Sequence, residues 1–281
     1  MKAPALGRIL LALLLLAAPA EARRRARRVQ HPKAERPEDD QRLRGDAKQF
    51  GGARVAIVAP ADLALLEGDE VRVQLKIEGY AIGPLSPGGP VPHAHLIVDN
   101  EPALEVDAAA PLTLSGLRPG PHALRVVLCR PWHEVVKAPR AFALARFWLG
   151  PRLEGKAGKA AEFVAWPDPK KPILTYLLPV GAPGNDAQAL ELSTDAETWE
   201  AAPQRAAVLD FYLSGARLAR RGDKVRVVLD RRELPLTTEW KPLPLKRAHA
   251  GAHRITIDLL NRRGLKVKNA VNRTDRVFTL P

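Results

Sequence analysis

Two β-sandwiches in tandem are the architecture this sequence predicts, and three features lead there. Apolar residues recur with a period of two in short runs such as "VRVQLKIE", "HLIV" and "VRVVL", bounded by Gly, Pro, Asp and Asn. Aromatic residues make up only 5% of the chain, while 26 prolines and 20 glycines punctuate it, a balance that favours strands and turns over long helices. The chain also repeats itself. At an offset of 131 residues, Asp99, Leu112, Leu114, Gly120, His122, Leu128, Phe147 and Leu149 match Asp230, Leu243, Leu245, Gly251, His253, Leu259, Phe278 and Leu280. Turn and core positions that coincide in this way indicate one fold used twice.

Taken in order, the chain opens with "MKAPALGRILLALLLLAAPAEA", where Lys2 and Arg8 precede an apolar core that ends in Ala20-Glu21-Ala22. This is the layout of a secretory signal cut after Ala22, and it is too short for a membrane span. An uncleaved anchor is the alternative, because "RRRARR" directly after the cut resists translocation. The prediction is therefore a secreted or periplasmic protein with no transmembrane segment after cleavage. Residues 23–54 mix both charges with few apolar residues and are expected to be a disordered basic arm. Sandwich 1 is placed at 55–150. A Gly-, Pro- and Lys-rich linker follows at 151–172, with Phe163 and Trp166 as candidates to pack onto a neighbour. Sandwich 2 occupies 173–281, with an insertion near 181–205 that reads equally as a hairpin or a short helix. Upstream of the ungapped region, "ARVAIVAP" corresponds loosely to "ILTYLLP" and "VRVQLKIEGY" to "AVLDFYLSG". With Cys129 the only cysteine, no intrachain disulfide is available, so stability must come from the cores, for which 46% apolar residues suffice.

Within a copy, "LTLSGLRPGPHALRVVL" reads as strand, Pro-Gly turn, strand, with Leu124, Val126 and Leu128 on one face. About seven short strands at such spacings suit an immunoglobulin-like or fibronectin-like sandwich. The Leu-x-Gly-Leu-x-Pro-Gly-x-His-x-Leu-x-Val pattern from Leu114 to Val126 resembles the E-to-F corner of secreted bacterial Ig-like modules. That resemblance covers both sandwiches but neither the arm nor the linker. It implies a binding, adhesion or spacer role and no catalysis. The second copy departs from it at "LKRAHAGAHRI", where Arg247 and Ala250 replace the first glycine and the proline.

In an Ig-like fold strands C and F are antiparallel neighbours, so the start of C lies beside the end of F. His93, His95, Cys129 and His133 are therefore expected at one end of the first sandwich, with His93 and His95 on one face. Imidazoles and a thiolate suit copper or zinc. A Cys-x-x-x-His loop near distant histidines on a sandwich also resembles the blue-copper plan, although Met1 is the only methionine. The alternative is that the histidines form only the polar edge of a strand and that Cys129 is a small buried hydrophobe. The aligned residues of the second copy are Lys224, Arg226, Leu260 and Gly264, which confines any such site to the first. His122 begins strand F and belongs at the other end.

Charge supplies a second candidate. Residues 206–281 carry about +10 of the chain's formal +13, while 55–150 is slightly acidic. Arg220 and Arg221 fall in the B-to-C connection, and Arg262, Arg263, Lys266 and Lys268 in or beside the F-to-G connection. These two connections share one end of an Ig-like sandwich. A cationic tip of this kind attracts an anionic cell-surface polymer or glycan with salt-sensitive affinity. Another envelope protein is a further candidate partner, whereas nucleic acid is disfavoured because no aromatic residues interleave there. No nucleophile elbow, phosphate-binding glycine loop or zinc-protease helix appears, and the acidic pair Asp39-Asp40 falls in the expected disordered arm, where nothing would hold a catalytic geometry, so no enzyme and no catalytic residue is predicted. The resulting expectation is a non-enzymatic binding or cell-envelope module without a cofactor. Copper or zinc binding and a passive spacer are its alternatives.

Overall fold

The computed structural model describes residues 48–84, 91–180, 191–193, 208–246 and 248–280. The predicted signal segment, the arm up to residue 47, most of the insertion at 181–205 and Arg247 lie outside them. In the first sandwich the strands are β1 (Arg54–Ala59), β2 (Ala64–Leu66), β3 (Val71–Glu78), β4 (His93–Val98), β5 (Leu104–Val106), β6 (Leu112–Ser115), β7 (Gly120–Cys129) and β8 (Phe142–Leu149). A helix, α1 (Gly155–Ala165), precedes β9 (Ile173–Leu178), β10 (Glu191–Ser193), β11 (Val208–Ser214), β12 (Lys224–Leu229), β13 (Arg232–Glu233), β14 (Leu243–Pro244), β15 (Gly251–Leu260) and β16 (Arg273–Leu280).

The strands form two face-to-face pairs of sheets. The order β1-β3-β6-β10 packs with β2-β8-β7-β4-β5, and β14-β11-β9 packs with β13-β12-β15-β16. Pairing is antiparallel except for β2 with β8, which run parallel. The period of two is visible in β3, whose Val71, Val73 and Leu75 are buried while Arg72, Gln74 and Lys76 are exposed. In β4 all six residues are buried. One face, Ala94, Leu96 and Val98, enters the first core. The other is covered because the second sandwich packs over that side of the sheet: Arg125 donates to Thr175 Oγ1 of β9 at 3.0 Å, and Leu177, Leu178 and Tyr212 join the first core.

Two local findings refine the sequence reading. Residues 48–54, assigned by composition to the arm, are ordered: Ala53 is buried, Phe50 stacks edge-on against Tyr80, and β1 begins at Arg54. One aromatic anchor outweighs the polar composition around it. Within 151–172 the chain forms α1, entered where a Cβ on Gly158 would strike the Leu153 carbonyl. Trp166 donates from its indole to the Phe147 carbonyl at 3.3 Å, whereas Phe163 faces solvent. Among the described residues no helix is long and apolar enough to cross a membrane.

The residues that define the repeat hold the fold. Asp99 and Asp230 both sit at positive φ just after a strand. Each carboxylate accepts from a backbone N–H, of Ala123 or Arg254, and from the Nδ1 of His122 or His253. The other ring nitrogen of each histidine donates to a carbonyl four residues back, Arg118 O or His249 O. With an acceptor at both nitrogens, the imidazolium is the form that satisfies the site.

Candidate metal centre

β4 pairs with β7 so that His93 lies opposite Cys129 and His95 opposite Val127. On its other side β4 pairs with β5, which puts Glu105 directly across from His95. The fourth side chain arrives from the turn after β7, where Arg130 N donates to Glu134 O at 2.8 Å and His133 N to Arg130 O at 2.9 Å. Closing this turn holds His133 at φ 64°, a conformation that costs a residue with a Cβ about 1–2 kcal/mol.

One donor atom from each of His93, His95, Glu105 and His133 lies within 4.8 Å of the others. His93 Nε2 is 3.1 Å from His95 Nε2 and 3.1 Å from His133 Nδ1. Glu105 Oε1 is 3.1 Å from His133 Nδ1 and 4.0 Å from His95 Nε2. In a tetrahedral site with metal–nitrogen bonds of about 2.0–2.1 Å, donors stand about 3.3 Å apart. The four residues could therefore hold a metal ion with small adjustments.

Electrostatics points the same way. Burial pulls the imidazole of His93 below its ordinary value, against the Val91 carbonyl and Glu105, which raise it. Burial pulls His95 down further, helped by the neighbouring His93 and His133. Neutral imidazole is the form that binds metal. His93 Nδ1 donates to the Val91 carbonyl at 3.0 Å, which leaves the lone pair on Nε2, facing the cluster. Among the described residues Glu105 forms ion pairs only with histidines, and its second oxygen is buried without a hydrogen-bond partner. A largely buried carboxylate in that position calls for a cation.

Three of the four side chains predicted for this end of the sandwich thus converge, and Cys129 is not one of the converging donors. Its thiol donates to the Val127 carbonyl at 3.7 Å, and burial, reinforced by the Asp210 carboxylate, pushes it well above the ordinary thiol range. It stays protonated, which is not the ligand form. Glu105 is the residue that sequence reasoning missed. Its only signal is a carboxylate ten residues beyond His95, too far along the chain for any spacing rule to connect.

The turn bearing His133 is braced by the second sandwich. Asp210 of β11 accepts from Val135 N at 2.9 Å and from Lys137 Nζ at 3.3 Å, and Lys137 also pairs with Glu134 at 3.6 Å. The residues picked out for charge lie elsewhere. Arg221, Arg262 and Arg263 line a cleft at the end of the second sandwich where β12 begins, together with Arg217. Lys266 pairs with Asp258 at 3.2 Å, while Arg220 and Lys268 are exposed and do not line that cleft.

No family model matches the sequence, and no curated protein matches it either. Among solved structures the chain is similar to the fibronectin(III)-like modules of Clostridium thermocellum CbhA, with TM-score 0.25 and 10% identity over 80% of this chain and 93% of that one. It is also similar to the central fibronectin-III array of RIM-binding protein, with TM-score 0.22 and 9% identity over 82% and 68%. A third is the Bacteroides ovatus mixed-linkage glucan utilization locus protein SGBP-B in complex with a mixed-linkage heptasaccharide, with TM-score 0.20 and 13% identity over 81% and 70%. The strand order of the chain itself makes it a tandem pair of sandwiches of the immunoglobulin and fibronectin kind.

Proposed function

We propose that this protein is a non-enzymatic metal-binding module that holds one divalent zinc or copper ion on His93, His95, Glu105 and His133. The observation that carries this reading is the convergence, within 4.8 Å, of three imidazoles and a carboxylate that pairs only with histidines among the described residues. Three nitrogens and one oxygen suit Zn(II) or Cu(II), and the absence of a thiolate among them argues against a blue-copper centre. Four protein donors close a tetrahedral shell and leave no open position for substrate, which supports a carrier or structural role over catalysis. His133 supports the reading independently. It occupies a strained backbone conformation that glycine would adopt freely, so its side chain has a use that the turn does not require.

The test is the metal content of the protein purified without chelator or histidine tag, repeated after loading with Zn(II) and with Cu(II). About one equivalent is expected, and none in the His95→Ala/His133→Ala variant. A wild-type protein that takes up no metal, or a variant that keeps it while remaining folded, would overturn the reading.

A further inference from the structure

The second sandwich carries a different site at the equivalent end. The connection from β11 to β12 is pinned by Asp223, whose carboxylate accepts from Arg217 N at 3.2 Å and whose backbone exchanges hydrogen bonds with Arg217 and Ala219. The turn after β15 is pinned by Asn261, whose side-chain oxygen accepts from Arg263 N at 2.9 Å and Leu265 N at 3.1 Å. Between these two rigid turns lies an open cleft of about 770 Å³ that presents Arg217, Arg221, Arg262 and Arg263. All four are exposed, and none of their guanidinium groups has a hydrogen-bond or ion-pair partner among the described residues. Among the described residues of the lining Asp223 is the only acidic one, and its Oδ2 accepts from a backbone N–H.

We infer that this cleft binds a polysaccharide bearing sulfate or phosphate groups along its length. Guanidinium forks match such oxyanions in a bidentate fashion, and turns held by their own side chains present them with little ordering cost. The four arginines are spread around an open cleft instead of converging on one point, which fits successive charges on a chain better than a single ion. None of the described residues that line the cleft is aromatic, so nucleobases have nothing among them to stack on. Among the described residues Leu265 and Ala219 are its only apolar side chains, too little for the apolar centre of a protein interface.

The probes are heparin for sulfate and a phosphorylated mannan for phosphate, with single-stranded DNA as a third arm. Binding is measured by titration across a salt series. The cleft variant is Arg217→Ser/Arg221→Ser/Arg262→Ser/Arg263→Ser. The control, Arg220→Ser/Arg232→Ser/Lys246→Ser/Lys268→Ser, removes the same charge from exposed positions of the same sandwich outside the cleft. The expected result is wild-type binding to heparin or to the phosphorylated mannan that weakens with salt. The cleft variant should lose at least about 100-fold and flatten the salt dependence by about three to four ions, while the control keeps most of the affinity. Equal losses in both variants would reduce the effect to net charge and overturn the inference. So would a wild-type protein that binds neither probe, or one that prefers DNA. Metal content of the cleft variant should stay at the wild-type level, which separates failure here from failure of the metal reading.

Discussion

The turns that follow β7 and β15 have one backbone and two uses. Arg130 N to Glu134 O and Asn261 N to Leu265 O are both 2.8 Å, and Val136 N to Leu128 O and Val267 N to Leu259 O are both 2.9 Å. The residue before the end of each turn has positive φ, 64° at His133 and 77° at Gly264. In the first sandwich this turn is clamped by Asp210 and lends an imidazole to a buried cluster. In the second it is exposed and displays two arginines beside a cleft. The comparison teaches that the repeat conserves the scaffold at this end and leaves its side chains free to specialise. A glycine replaced by histidine at a strained position then marks specialisation more clearly than the histidine alone would.

The largest expected difference between the turns concerns the clamp. Asp210→Ala leaves the buried ammonium of Lys137 and the Val135 N–H without that carboxylate, and should cost about 3–5 kcal/mol in urea unfolding. Asn261→Ala, which removes the brace of the other turn, should cost only about 1 kcal/mol. Metal affinity should fall in the first variant and stay unchanged in the second. Comparable costs in both would mean that the two turns are held alike.

Transplantation tests whether the scaffold at this end is interchangeable. Lys224→His, Arg226→His, Leu236→Glu and Gly264→His place the four donor types at the equivalent positions of the second sandwich. A second equivalent of zinc is expected, bound about 10–100-fold more weakly because the receiving turn has no clamp and no buried surroundings. Stoichiometry that stays at one would show that the site depends on its cover as well as on its ligands.

A finer comparison isolates the backbone strain. His133→Gly and His133→Ala both remove the ligand and should both abolish metal uptake. The glycine variant should nevertheless be more stable in the metal-free state by about 1 kcal/mol, because the positive φ of this position strains alanine and does not strain glycine. Equal thermal midpoints would mean that the turn relaxes around any residue.

The smallest effect tests what the two copies share. Burial, the largest influence on His122, pulls it down, but the hydrogen bond and charge of Asp99 outweigh this and leave it raised. The hydrogen bond that His253 donates to Asp230 raises the imidazole in the same way. A raised folded value means that the stabilisation is complete below the ordinary imidazole value of about 6.5 and disappears as pH rises through the folded-state values. Thermal midpoints should therefore drift down through this window, and the His122→Gln/His253→Gln variant should show a flatter profile. An unchanged slope would locate the pH dependence elsewhere.

Much of this was legible in the sequence because it is encoded locally. The period of two marked the strands, the offset of 131 residues marked the two sandwiches, and the His93-x-His95 spacing put both imidazoles on one face of a strand whose start had to lie beside the end of strand F, which is β7. The tertiary structure alone decided the rest. Glu105 faces His95 because of the register between β4 and β5, which the connection between them sets and no side-chain period reveals. The thiol of Cys129 turns to a backbone carbonyl because the second sandwich buries that face of the sheet and leaves it no reason to ionise. Arg217 joins the basic cleft, while Arg220 and Lys268 stay outside it, through the folding of a pinned loop. Local patterns determine which way a side chain leaves its strand. Which side chains it meets depends on strand register, loop closure and the packing of one sandwich on the other, and these are properties of the whole chain.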